Sequence, residues 1–210
     1  MNARVFLADD HELFREGLKS LIERKSSYII AGEAKNGIGL ADTLVKVKPD
    51  IILLDFSMPG KNGMELIPEL KSFIPTLKIL VLTMHPEERF AIRCLKAGAD
   101  GYLTKNSAAT ELIKATEKIL SGGKYVSPVL AEKLAFELNN TDVKLHEQLS
   151  NREYQVFILL AQGKSNQEIS DELNISPSTV NTYRNRIKEK MKLENIADIV
   201  RYALENNLLD

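Results

Sequence analysis

Ile51-Ile52-Leu53-Leu54-Asp55 is the stretch that decides the architecture. Four aliphatic residues in succession are too few for a buried helix and show no polar alternation, so the run reads as a strand covered on both faces. Strands of that kind belong to parallel sheets, whose neighbours are joined by helical crossovers. Working outward, the other strand candidates are Val5–Ala8, Tyr28–Gly32, Lys78–Leu82 and Gly101–Thr104. Amphipathic stretches lie between and after them at Glu12–Arg24, Ile38–Val47, Met64–Phe73, Glu87–Ala97 and Ala108–Leu120. This (βα)5 alternation predicts a doubly wound α/β sheet with right-handed crossovers and helices on both faces. Gly98 supplies the helix stop expected before the fifth strand.

From Gly122-Gly123 onward the alternation ends. A short helix is expected at Pro128–Leu138, followed by the linker-like Asn139-Asn140-Thr141-Asp142. After Leu149 no strand signal remains, and four helices are expected near Asn151–Gln162, Asn166–Leu173, Pro177–Met191 and Asn195–Asn206. The division this implies is residues 1–121, a linker with a short helix over 122–147, and an all-α domain over 148–210.

The 210 residues are 44% apolar and 27% charged, ordinary for a folded chain and far from the composition of disorder. The longest apolar runs are strand-sized, well short of the roughly 18 residues of a membrane span. The amino terminus enters its first strand without the pattern of a secretory leader, so a cytoplasmic protein is expected. The lone Cys94 excludes an internal disulfide and reads as a small buried hydrophobe. The net charge of −1 says nothing for nucleic acid. From His146 to Asp210 eight Lys/Arg face ten Asp/Glu, yet Ser176–Lys192 carries five basic residues against Glu189 alone. One helix is basic on an otherwise acidic domain.

The carboxylates near the strands fall at the same kind of position. Asp9 and Asp10 follow strand one and Asp55 ends strand three. With strand order 2-1-3-4-5, the winding reverses between strands one and three, which is where open parallel sheets bind ligands. Converging carboxylates repel one another unless a cation neutralises them, and an all-oxygen donor set favours Mg2+. Thr83 after strand four and Lys105 after strand five bring a hydroxyl and an ammonium to the same edge. A nucleophile, a metal and a cationic clamp outline phosphoryl-transfer chemistry. Any one of these residues alone reads as a turn former or a solvated charge; the combination gives the set its meaning.

Val5-Phe6-Leu7-Ala8-Asp9-Asp10-His11, Leu53-Leu54-Asp55-Phe56-Ser57-Met58-Pro59, Leu82-Thr83 and Gly101-Tyr102-Leu103-Thr104-Lys105 together resemble the receiver domain of two-component response regulators. The resemblance implies that Asp55 accepts phosphoryl from a sensor histidine kinase. It implies Mg2+ on Asp10, Asp55 and the Ser57 carbonyl, with Asp9 acting through water. It further implies that Thr83 moves to the phosphoryl group, that Tyr102 turns inward behind it and that Lys105 contacts a phosphoryl oxygen. On sequence alone Tyr102 is equally a core aromatic. Many receivers carry proline after the lysine, often with a cis peptide; Asn106 stands here, which disfavours a cis bond.

Along Pro177–Met191, a 100° step puts Val180, Tyr183, Ile187 and Met191 on one face and Ser178, Asn181, Thr182, Asn185 and Arg186 on the other. Amides and arginine on a presented helix suit base edges in a major groove, while Arg184, Lys188, Lys190 and Lys192 flank it as phosphate contacts. The charge run alone is equally a solvated face. Leu149-Ser150-Asn151-Arg152-Glu153, Ala161-Gln162-Gly163-Lys164-Ser165-Asn166-Gln167-Glu168-Ile169 and Ile175-Ser176-Pro177-Ser178-Thr179-Val180 resemble the LuxR-type helix-turn-helix. The resemblance implies base contacts from Asn181, Thr182 and Asn185 and phosphate contacts from Lys164, Ser165, Asn166, Thr179, Arg184 and Lys188 or Lys190. It places a dimer contact at Ile196, Ile199, Val200 and Ala203. Joined to the receiver, it resembles the NarL/FixJ family, and Tyr183, where many relatives have histidine, resembles its GacA/UvrY-like branch. The implied function is a regulator whose phosphorylation controls dimerisation and DNA binding, not an enzyme beyond self-phosphorylation and autodephosphorylation. The alternatives are a constitutive DNA binder with a vestigial receiver, and a Mg2+-dependent aspartyl-phosphate phosphatase. The phosphatase is disfavoured because Ser57 stands where such hydrolases place a second aspartate.

Overall fold

The structure, a computed structural model, describes residues 2–84, 87–132 and 144–209, with 87–89 described by their backbone alone. The chain divides into two compact units, Met1–Leu138 and Asn139–Asp210.

The first unit alternates β1 (Ala3–Ala8), α1 (Glu12–Glu23), β2 (Tyr28–Ala34), α2 (Leu40–Val47), β3 (Ile51–Asp55), α3 (Gly63–Phe73), β4 (Lys78–Thr83), α4 (Glu87–Lys96), β5 (Gly101–Thr104) and α5 (Lys105–Leu120). The five strands form one parallel sheet in the order β2-β1-β3-β4-β5. Val5, Leu7, Leu53 and Leu82 pack in one core cluster with Leu18 and Ile22 of α1 and Leu112 and Ile119 of α5. Their alternates Phe6, Ile52 and Leu54 are equally buried, as strands covered on both faces require. α3 is capped by Asn62, whose side chain accepts from the Glu65 N–H while the Glu65 carboxylate returns to the Asn62 N–H. Gly98 takes φ +114° after α4, a conformation costly for other residues.

Pairing between β1 and β2 slips by one residue after Val5. Val5 stands opposite Ile30, but Phe6 stands opposite Gly32 and Leu7 opposite Glu33. The Phe6 ring covers Gly32 so closely that a Cβ there would come within 2.8 Å of it.

Two differences from the sequence reading have physical causes. α5 begins at Lys105, not Ala108, with Thr104 at its N-cap. A proline at 106 would push Lys105 out of helical conformation; Asn106 does not, and no peptide among the described residues is cis. Residues 122–130, expected as linker, belong to the first unit. Tyr125 exchanges backbone hydrogen bonds with Asp100 and Tyr102, bridges to Gly101 and is buried in the core cluster, and Leu130 is buried too. Helical residues do begin at 128 and run to 132; the rest of the helix expected at Pro128–Leu138, and Asn139–Asp142, lie outside the described residues.

The second unit starts with a short 3-10 turn, Leu145–Gln148, then α6 (Asn151–Ala161), α7 (Asn166–Leu173), α8 (Pro177–Met191) and α9 (Ile196–Glu205). The turn was not foreseen. It carries His146, whose Nδ1 lies 3.0 Å from the Tyr202 hydroxyl on α9. Ser150, Ser165 and Asn195 head α6, α7 and α9 in capping boxes, and Ser176 caps α8 with Pro177 in its first turn. α6 is the central helix, buried from Glu153 to Ala161, and Gly163 at φ +81° reverses the chain after it.

Candidate functional site

The sheet order puts the ends of β1 and β3 side by side, and their carboxylates meet there. Asp55 is the last residue of β3 and only 1% exposed. The Ser57 N–H donates to its Oδ1 at 3.1 Å, folding the following turn back onto it. Its Oδ2 accepts from the Lys105 ammonium at 2.8 Å, and the same ammonium stands 2.8 Å from Asp9 Oδ2. Lys105 reaches both because it opens α5 directly after β5, two strands from β3 and three from β1. Thr83 ends β4, pairs with Thr104 and is fully buried. Tyr102 is also fully buried.

The charges are coupled. Burial pushes the Asp55 carboxyl above its ordinary 3.8, with Asp9 adding to the rise, while Lys105 and the Ser57 N–H hold it down. Burial works against the Lys105 ammonium, but its bonds to Asp55 and Asp9 outweigh that and keep it above 10.5.

The donors fit a divalent cation. Asp9, Asp10, His11 and Asp55 each bring one ligand atom within 4.8 Å of the others. Among the described residues, Asp9 Oδ2 and Asp10 Oδ1 are buried without a well-directed hydrogen bond; beside them stand the ion-pair partners Lys105 and His11, at 2.8 and 2.9 Å. His11 was quoted in the motif but given no part; its Nδ1 also lies 3.8 Å from Asp55 Oδ2. Arg15 was missed as well. Its signal was a basic residue in the buried stripe Arg15, Leu18, Ile22 of α1.

In the second unit, α8 is partitioned as its periodicity implies. Val180, Ile187 and Met191 are buried and Tyr183 is half-buried, while Ser178, Asn181, Thr182, Asn185 and Arg186 are exposed. Asn166 at the start of α7 donates its amide to Asn181 Oδ1 at 2.8 Å, tying the two helices of the helix-turn-helix at their exposed edge. Thr182 bonds the Ser178 carbonyl and Thr179 lies beside the Ser176 cap hydroxyl. Arg184 and Lys188 are half-buried along the flank. Lys164 is ion-paired with Glu172. Lys190 is tied down, its ammonium 2.6 Å from Glu153 Oε2, a buried carboxylate that also caps α6. α9 divides the expected dimer contact: Ile199 and Ala203 are fully buried in the unit itself, Val200 is half-buried, and Ile196 is 45% exposed. The resemblance named all four, and two of them lie on the inward side. Leu204, 57% exposed and not foreseen, extends the outward one.

A five-stranded receiver sheet with an acidic pocket, followed by a capped four-helix unit with a polar recognition helix, defines a class, and comparison with known proteins agrees. Residues 5–117 match the response regulator receiver domain, and residues 147–203 match the bacterial regulatory proteins of the luxR family. The chain belongs to the NarL/FixJ family: it is a two-component response regulator with a LuxR-type DNA-binding domain. Its relatives include response regulator GacA of Pseudomonas viridiflava, 34% identical over 212 residues, 99% of this chain and 98% of the relative. Response regulator UvrY of Escherichia coli strain K12 is 33% identical over 207 residues, 97% and 94%. RcsB from Salmonella enterica serovar Typhimurium, solved on promoter rprA with the phosphomimetic BeF3−, is 29% identical with a TM-score of 0.70 over 96% of this chain and 98% of that one. No helix among the described residues is long and apolar enough to cross a membrane.

Proposed function

We propose that Asp55 is the phosphoacceptor and that its phosphorylation by a sensor histidine kinase controls homodimerisation and sequence-specific DNA binding in the cytoplasm. The observation that carries this reading is the Asp55 carboxylate itself, buried at a sheet edge with Lys105 on one oxygen and the Ser57 N–H on the other. One Asp55 oxygen attacks phosphorus, the bond from phosphorus to the kinase imidazole breaks, and the imidazole nitrogen keeps the electron pair. Asp10, Asp55 and the Ser57 carbonyl would hold Mg2+, with Asp9 through water, and the ion would neutralise charge on the transferring oxygens. Lys105 then follows the negative charge from the carboxylate to a phosphoryl oxygen. Thr83 moves to hydrogen-bond another, Tyr102 fills the space behind it, and the surface around α4 changes with them.

On the second unit, Asn181, Thr182 and Asn185 face bases, and Lys164, Ser165, Asn166, Thr179, Arg184 and Lys188 contact phosphates. The dimer contact on α9 runs through Ile196, Val200 and Leu204. The division keeps the receiver at 1–121, with residues 122–130 a strap upon it, and the DNA-binding domain at 148–210.

The test is incubation with Mg2+ and a small phosphodonor, read by intact mass. Wild type gains one phosphate, Asp55→Ala gains none, and only treated wild type binds operator more tightly. Equal labelling of Asp55→Ala would sink the assignment.

A further inference from the structure

Arg15 is the largest fully buried side chain among the described residues, and none of the chemistry above uses it. A guanidinium cannot shed its charge, so it is found in an interior only where its donors are matched. Here both named contacts lead to the acidic pocket's frame. Nη1 donates to the backbone carbonyl of Asp9 at 2.8 Å. Nε donates to Glu33 Oε2 on β2 at 2.7 Å, and Lys19, one turn further along α1, holds the other Glu33 oxygen at 2.8 Å. The Asp9 N–H is meanwhile fixed on the Ala34 carbonyl of β2. The peptide groups on both sides of Asp9 are thus pinned, one by the sheet and one by the arginine. Beyond Asp9 come Asp10 and His11, which turn the chain into α1 and carry the metal-binding carboxylate.

We propose that Arg15 is a positioning residue for the divalent-cation site: clamped by Glu33, it fixes the Asp9 carbonyl and so the direction in which Asp10 presents its carboxylate. Glu33 supports this at one remove by neutralising and orienting the guanidinium. This rests on the reading of the acidic pocket as a Mg2+ site. Groups that orient metal ligands from behind commonly contribute about 10- to 100-fold to metal affinity. Arg15 is therefore expected to matter for how tightly Mg2+ is held more than for what happens at saturation.

The test uses the full chain and Mg2+ alone, titrated by calorimetry, beside the rate of labelling by a small phosphodonor as a function of Mg2+ concentration. Arg15→Met is expected to weaken Mg2+ by about 10-fold, Glu33→Gln by less, and Arg15→Lys to recover part of the loss. In the folded variants the Mg2+ concentration for half-maximal labelling rises while the maximal rate stays near that of wild type. A purely structural contribution would instead lower the labelled fraction and leave the midpoint alone, which overturns the proposal. Should Arg15→Met fail to fold, Arg15→Lys and Glu33→Gln decide, since Glu33 is 39% exposed and its exchange removes no core volume. An unchanged Mg2+ affinity in both overturns the proposal. Failure of wild type itself to bind Mg2+ overturns the metal-site reading, and the positioning with it.

Discussion

Lys105 is the residue on which the pocket's charge balance turns. It is nearly buried and shared between Asp9 and Asp55, themselves nearly inaccessible. Removing one member of a buried ionic set leaves the others uncompensated, at a cost of about 3 kcal/mol. Lys105→Met is therefore expected to lower stability by roughly that amount in urea unfolding with chelator present. Added Mg2+ should narrow the deficit by more than it stabilises wild type. Asp100 is another buried carboxylate, with its own pH signature. Burial raises it, but the Lys71 ammonium, the Ile79 N–H and Lys78 together hold it below 3.8. A depressed carboxyl contributes stability that is present above its unfolded value and lost as pH falls through the folded one. Asp100→Asn should thus be less stable than wild type near neutrality, and the gap should close as pH drops below 3.8. A gap that stays constant from neutral to acid would refute the assignment.

Among the elements, α8 mixes two kinds of lysine that charge counting cannot separate. Lys188 carries no ion pair among the described residues and is the one proposed to flank a bound backbone, whereas Lys190 answers the buried Glu153. Lys188→Gln is expected to reduce the slope of log affinity against log salt by about 0.9, the release of one counterion. Lys190→Gln should leave that slope alone and instead destabilise the second unit. α9 makes the matching point for apolar residues. Ile196→Asp should weaken dimers, read by sedimentation, without unfolding, while Ile199→Asp should unfold the unit because that side chain is wholly inside. These contrasts mark the limit of what periodicity conveys. Asp55, Asp9, Asp10, Thr83 and Lys105 were legible because each ends or follows a strand, and a parallel sheet collects strand ends at one edge. Strands were legible because their runs were apolar throughout. The Lys190 tether, the Tyr125 strap and the inward half of α9 were not, since each depends on a partner 20 or more residues away whose approach no local pattern encodes.

For the molecule as a whole, a net charge of −1 with a basic recognition helix means that attraction to nucleic acid comes from that local group of cations and not from overall charge, so each phosphate contact carries a visible share of the salt dependence. The phosphorylation proposed for Asp55 would add a group where Lys105 already bridges the ends of two strands. How that pocket is braced depends on something far from any charge. Had β1 and β2 stayed in simple register past Val5, Leu7 would have met Gly32, and Glu33 would have paired with Ala8 on the opposite face of the sheet. The slip absorbs Ala31 and turns Glu33 over to the side of Leu7, Leu18 and Ile22, the side on which α1 lies. The slip therefore decides which face a carboxylate serves, and deleting Ala31 would remove the bulge while leaving Gly32 opposite Phe6 and Glu33 opposite Leu7, so that Arg15 keeps its counter-charge on its own side of the sheet. The Phe6 ring over Gly32 is the peg that keeps the strand from sliding back.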